Sequence, residues 1–389
     1  MTGRDSEERA RELLNAGDAV AAAGLLEQAV ARDPAQTSLW LLLAAARRSL
    51  RQTQAEMAAI ERALALDPRN MRARLQKASL EELLGTPRAA AMSYRYALGM
   101  LPPGFEPPPH LREVLQHARD VIAANDRALE AFLDERLASL RAQHGAIPLR
   151  RFETAIATVL RKQPVYRPQP SFLYFPNLPA IEFHDRADFP WLAALEAATD
   201  DIRAELTGVL ADGASVLEPY VSIAPDMPLN QWRELNRSRR WGVYYLWREG
   251  VPQSEHLARC PRTARALEAW PRCEVPGCGP TAVFSILEPK TRIPPHHGVT
   301  NTRLIVHLPL IVPPGCLFRV GGERREWLPG KAFVFDDTFE HEAWNDGDAP
   351  RAVLILDIWS PHLSAVERAL LQAATGAIGA YYGTPTYQE

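Results

Sequence analysis

The chain predicts a multidomain α and β fold: a repetitive α-helical array followed by a double-stranded β-helix, the jelly roll. Three observations carry this. The first hundred residues repeat in a helical pattern with a period of 34. The last half is dominated by short β-branched and aromatic runs separated by Gly, Pro and Asp turns. Two histidines, His296 and His341, sit 45 positions apart in motifs that each read as half of a metal site, and Arg351 follows ten residues after the second.

Length and composition set the frame. A chain of 389 residues predicts two or three domains, and 47% hydrophobic residues is ample for their cores. The 44 basic and 47 acidic residues leave a formal charge of −3, which gives no electrostatic reason to expect nucleic acid. Residues 1–11 are charged and lack the apolar stretch of a secretory signal. The longest apolar run, residues 39–46, is far too short to span a bilayer. The expectation is a cytoplasmic protein with no membrane span. Cys260, Cys273, Cys278 and Cys316 then read as reduced core and loop thiols. The alternative, a zinc knuckle around Cys273-x4-Cys278, has no obvious fourth ligand.

Residues 1–103 form the predicted helical array. Ala29, Ala63 and Ala97 are each 34 apart, as are Pro34, Pro68 and Pro102, and Gly17 and Gly85 differ by twice that. Alanine permits close helix approach, and proline closes the second helix of a pair. A 34-residue period of this kind resembles the tetratricopeptide repeat. Pro102-Pro103-Gly104 and Pro107-Pro108-Pro109 break the array. Residues 104–168 follow as a helical connector, ending in a proline-rich stretch (163–170) that predicts a stiff, extended linker.

Residues 169–389 form the predicted jelly-roll domain. Residues 240–247, 282–287, 302–312, 317–320, 332–335 and 352–359 read as strands. Residues 191–210 read as a helix outside the barrel, and residues 364–380 as a C-terminal helix.

The chemistry-bearing residues cluster late in the chain. The first histidine motif is Ile293-Pro294-Pro295-His296-His297-Gly298, and the second is Phe335-Asp336-Asp337-Thr338-Phe339-Glu340-His341. Neutral imidazoles suit Fe(II), with coordination positions left open for a cosubstrate and O2. His341 is expected to end one strand at the barrel mouth. Arg351 is expected to start its antiparallel neighbour and reach the far carboxylate of a keto acid.

These motifs resemble the aspartyl/asparaginyl β-hydroxylases, which are Fe(II)- and 2-oxoglutarate-dependent dioxygenases. The resemblance runs from about residue 172 to residue 363. It is carried by Phe284-Ser285-Ile286-Leu287, Pro295-His296-x-Gly298-x-x-Asn301-x-Arg303-Leu304, His307-Leu308, Trp327-x-x-Gly330, Phe335-Asp336-Asp337-x-Phe339-Glu340-His341-Glu342-x-Trp344 and Asp357-x-Trp359.

The resemblance implies His296 and His341 as the metal ligands. Most enzymes of this chemistry carry an acid two residues after the first histidine. Here that position is Gly298, as in the family resembled, and a water is expected in the empty coordination position. An acid at 298 is expected to be tolerated for metal binding. Asp337 is expected to hold that water from outside the coordination sphere. The other readings are a turn-forming Asp336-Asp337 pair or direct ligation. Arg351 and Ser285 match the family residues that bind the 5-carboxylate of 2-oxoglutarate, a task suited to a guanidinium fork. His307 matches a family histidine near the 1-carboxylate, and a core histidine is the equal alternative. Trp241 matches a pocket-lining tryptophan, with a core role as the other reading. Arg303 matches an arginine that meets the substrate carboxylate. Ile305 stands where the animal enzymes carry another arginine.

The function expected is hydroxylation at Cβ of Asp or Asn in a peptide or protein, with O2 as the other cosubstrate and the repeats recruiting the polypeptide. Two alternatives remain. One is an oxygenase of a small molecule or lipid-linked acyl chain. The other is a non-catalytic, repeat-based interaction protein.

Overall fold

The architecture is taken from a computed structural model that describes residues 3–144, 146–275 and 277–382. The chain divides into two compact units, Met1–Leu160 and Arg161–Glu389.

The first unit opens with three helix pairs: α1 (Gly3–Asn15) and α2 (Ala19–Arg32), α3 (Thr37–Ser49) and α4 (Thr53–Leu66), α5 (Met71–Leu83) and α6 (Pro87–Leu98). The first helices begin at 3, 37 and 71 and the second at 19, 53 and 87, so both sets keep the 34-residue period. Ala29, Ala63 and Ala97 are all buried where helices cross. Asp18 and Asn70 accept the backbone N–H of Ala21 and Ala73 at 2.9 and 3.0 Å, capping α2 and α5. Gly17 and Gly85 turn the chain within their pairs at φ +83° and +71°; Arg51 takes the equivalent place in the middle pair at φ 57°. Leu26, Leu39 and Ile60 are fully enclosed in the core, each contributing about 1.5–3 kcal/mol. Two further helices, α7 (Pro109–Ala142) and α8 (Ala146–Val159), complete the unit. Arg141 joins them through both carboxylate oxygens of Glu153, at 2.7 and 2.8 Å.

The stretch 163–170 packs along the second unit. Gln169 donates its backbone N–H to the Thr338 carbonyl at 2.7 Å, and the Arg319 guanidinium lies 5.3 Å from the Tyr166 ring centre.

The second unit is built on two antiparallel sheets. The larger orders β1 (Glu218–Pro219), β2 (Trp241–Arg248), β4 (Ala282–Leu287), β11 (Arg351–Trp359), β6 (Arg303–Ile311) and β9 (Phe333–Phe335), with β3 (Val251–Pro252) paired to β2. The smaller orders β5 (Thr291–His296), β10 (His341–Asn345), β7 (Cys316–Val320) and β8 (Glu323–Arg325).

Side-chain alternation assigns each face of the larger sheet. Leu354, Leu356 and Ile358 of β11 join Phe284 and Leu246 in a core covered by α9 (Leu192–Ala197), α10 (Thr199–Leu210), α11 (Ser254–Arg259) and α12 (Pro261–Ala266). Val353 and Ile355 point the other way, into a core shared with Ile293, Phe318 and Ala343 of the smaller sheet. The expected single helix over 191–210 is two helices, since the chain bends at Ala198 between α9 and α10. A last helix, α13 (Ala365–Tyr382), follows β11.

Candidate active site

The inner faces of the two sheets enclose a cavity of about 820 Å³, and all eight residues singled out from the sequence line it. His296 ends β5, and His341 begins β10 directly opposite it in the antiparallel register. Their ring centres are 3.9 Å apart. The expectation that His341 ends a strand adjoining that of Arg351 is corrected here: β10 and β11 belong to different sheets, and the two residues meet across the cavity.

Each of these two histidines uses the same local device. Nδ1 of His296 lies 2.8 Å from the Pro294 carbonyl, and Nδ1 of His341 lies 3.0 Å from the Phe339 carbonyl. A carbonyl can only accept, so Nδ1 carries the proton and Nε2 keeps its lone pair. Burial, followed by the neighbouring His296, holds His341 well below the usual histidine range, so it stays neutral. This donor set suits a borderline metal such as Fe(II). Among the described residues no group of three or more His, Cys, Asp or Glu side chains is placed to hold a metal.

His307, on β6, has the opposite arrangement. Its Nδ1 sits 3.3 Å from Trp327 Nε1, an indole nitrogen that can only donate. Nδ1 therefore accepts, and Nε2 carries the proton. Burial and then the nearby Arg351 hold this ring well below its ordinary range, hence neutral.

Arg351 is the largest fully enclosed side chain of the protein, at 1% exposure. Its guanidinium lies 4.7 Å from the Trp327 ring centre, and among the described residues no carboxylate stands within ion-pair distance. Burial pulls its pKa down to about 10. A buried cation without a counter-ion is costly, and an anionic ligand would relieve it. Ser285 lies nearby on β4, where its neighbour in register on β2 is Val243 and on β11 is Val353. Its hydroxyl oxygen accepts the Trp241 indole N–H at 3.1 Å, which leaves the hydroxyl proton available to donate. Tyr220 stacks on Trp241 at 4.0 Å and holds that indole in place.

Gly298 and Asp337 are in direct contact. Gly298 donates its N–H to the Asp337 carbonyl at 2.7 Å, and a Cβ at 298 would overlap the Asp337 carboxylate. An acid at 298 would have to displace the Asp337 carboxylate, which already occupies that space. Asp336 makes the turn instead, accepting from the Thr338 N–H at 2.9 Å and from its hydroxyl at 2.5 Å.

Arg303 lies between two carboxylates. Its guanidinium is 3.9 Å from Asp337 and 3.7 Å from Asp357. Ile305 sits opposite Asp357 in register, on the same face of β6 as Arg303 and His307. Burial raises the Asp357 carboxyl to about 7, opposed first by Arg303. Sequence reasoning gave no role to Asp357, Trp327 or Trp232. The first two stood in recognisable motifs, and their partners are what give them meaning. Trp232, whose ring centre lies 5.0 Å from that of His296, falls in a loop without periodicity.

Residues 196–361, within the second unit, match the Aspartyl/Asparaginyl beta-hydroxylase family. An ornithine lipid ester-linked acyl 2-hydroxylase of Rhizobium tropici is 38% identical over 181 residues, covering 46% of this chain and 60% of that protein. The aspartyl/asparaginyl beta-hydroxylase of Homo sapiens is 38% identical over 135 residues, covering 34% of this chain and 18% of that protein. The chain thus spans only part of the length of either relative. Among solved structures, the Arabidopsis OM64 TPR domain is 18% identical and covers 32% of this chain and 96% of its own, with a TM-score of 0.28. The repeat assignment here rests on the 34-residue helix period. Among the described residues no helix is long and apolar enough to cross a membrane.

Proposed function

We propose that the second unit is an Fe(II)- and 2-oxoglutarate-dependent hydroxylase on a double-stranded β-helix. One observation carries this reading. Two facing histidines, each with its Nδ1 proton held by a backbone carbonyl, line the same cavity as the buried, carboxylate-free Arg351. His296 and His341 would hold the metal. Bound iron supplies O2 activation coupled to decarboxylation of 2-oxoglutarate and hydroxylation of a C–H bond.

The chain's own groups set up that chemistry. Arg351 binds the 5-carboxylate as a fork, and the Ser285 hydroxyl donates to the same group. His307 donates its Nε2–H to the carboxylate at the other end of the cosubstrate. Asp337 holds a water beside Gly298. Trp232, Trp241, Phe318 and Phe335 exclude bulk water from the chamber.

Two substrates fit this site. The first is Cβ of Asp or Asn in a polypeptide, supported by the human relative and by an attached helical-repeat array. The second is a lipid-linked acyl chain. A specific observation favours the second: Arg303, the guanidinium expected to meet a substrate carboxylate, is flanked by Asp337 and Asp357, and its neighbour on that face is Ile305. The name of the Rhizobium relative supports the same reading.

Anaerobic equilibrium dialysis tests the cofactor assignment. Wild-type protein should retain one Fe(II) per chain, more tightly with 2-oxoglutarate present, and His296→Ala should lose it. Equal retention by wild type and His296→Ala would refute the ligand pair.

A further inference from the structure

The mouth of the cavity has a surface that the chemistry inside does not require. The loop 222–237 lines it, and Ile223, Pro225, Met227 and Pro228 form an apolar lip. Met227 stands between two exposed prolines and is itself 58% exposed. The β2–β3 hairpin contributes Arg248 and Glu249 to the cavity wall, with Arg248 paired to Glu218 at 3.0 Å. An exposed aliphatic tip beside a cavity entrance is poorly explained by packing.

The charge around this lip has one dominant sign. Between residues 222 and 240 the chain carries Arg233, Arg237, Arg239 and Arg240, all exposed, against Asp226 and Glu234. The whole chain, by contrast, has a formal charge of −3. Among the described residues, no carboxylate stands within ion-pair distance of Arg233 or Arg237. Apolar side chains that project beside a band of arginines match an anionic bilayer, with acyl chains beneath negatively charged headgroups.

We propose that the cavity mouth docks on an anionic phospholipid surface, with Met227 entering the acyl boundary and the arginines of residues 233–240 meeting the headgroups. The proposal rests on the acyl-chain reading of the site. It would put the apolar lip, and through it the chamber, against the phase in which such a substrate resides.

Co-sedimentation of the full chain with vesicles tests it, without iron or 2-oxoglutarate. The protein should bind vesicles of equimolar phosphatidylcholine and phosphatidylglycerol, should not bind phosphatidylcholine alone, and should be released by high salt. Arg233→Glu with Arg237→Glu should weaken binding roughly tenfold or more. Met227→Asp should weaken it independently, with unchanged circular dichroism and melting temperature showing that both variants fold. Absence of binding to the mixed vesicles, equal binding to phosphatidylcholine alone, or wild-type binding by both variants would overturn the proposal. Succinate production by the same wild-type preparation, assayed separately with Fe(II), 2-oxoglutarate and O2, separates the two readings. Vesicle binding without turnover sinks the hydroxylase and leaves the surface standing, and turnover without vesicle binding does the reverse.

Discussion

Trp327 donates its indole N–H to Nδ1 of His307 at 3.3 Å, and the same ring lies beneath the Arg351 guanidinium at 4.7 Å. One side chain therefore fixes the tautomer of a histidine and the seat of a buried arginine. His296 and His341 hold the opposite tautomer because their Nδ1 atoms face carbonyls. The tautomers of three histidines lining one chamber follow from these three local contacts.

Trp327→Phe keeps an aromatic face under Arg351 and removes the donor to His307. A net hydrogen bond is worth about 0.5–1.5 kcal/mol, so the 2-oxoglutarate KM should rise roughly two- to tenfold. Steady-state succinate assays against cosubstrate concentration measure this. An unchanged KM would mean that the tautomer of His307 does not matter to cosubstrate binding.

Arg351→Met should separate stability from function. Replacing an uncompensated buried charge by a hydrophobic side chain of similar length should stabilise the ligand-free protein, by about 1–4 kcal/mol on the scale of buried-charge replacements. Thermal denaturation should show a higher Tm. It should also show no further rise on adding 2-oxoglutarate, whereas wild type is stabilised by the ligand. Ligand-induced stabilisation that survives in Arg351→Met would assign the carboxylate to another group.

Gly298→Asp should be destabilising, because its side chain overlaps the Asp337 carboxylate; overpacking of this kind costs about 1–3 kcal/mol. Adding Asp337→Ala should restore part of that loss, with a coupling of roughly 0.5–3 kcal/mol in a double-mutant cycle. Urea denaturation of the four proteins measures it. Additive effects would show that the two positions do not share one space.

How much of this could be read from the sequence depended on locality. The repeat was visible because alanine and proline each mark the same place in every helix pair, and glycine in the first and third. The strands of the larger sheet were visible because β6 and β11 carry long β-branched runs. β5 was not read as a strand because Pro294 and Pro295 lack backbone N–H groups. It tolerates them as the edge strand of the smaller sheet. The placement of β10 opposite β5 follows from pairing across more than forty residues, which no local pattern encodes. For the same reason the sequence left illegible the carboxylate neighbours of Arg303. The carboxylates flanking it, Asp337 and Asp357, lie on other segments of the chain.

His184 should make stability depend on mildly acidic pH. Burial, then the adjacent His362, lowers its pKa from 6.5 to about 4, and neither ring nitrogen has a hydrogen-bond partner. The unfolded chain takes up this proton first as pH falls, so stability is lost between about 6.5 and about 4. The contribution is of order 3 kcal/mol across that window. His184→Phe should show a flatter pH profile of unfolding free energy than wild type in this range. Identical slopes for the two proteins would contradict the assignment.

The central claim is that His296 and His341 hold iron in a working hydroxylase, and succinate formation from 2-oxoglutarate and O2 tests it most directly. Measured by NMR on the full chain, wild type should form succinate only when Fe(II) is supplied. His341→Ala, folded by circular dichroism, should form none above the protein-free background. Iron-independent succinate in wild type, or wild-type rates in His341→Ala, would contradict the account.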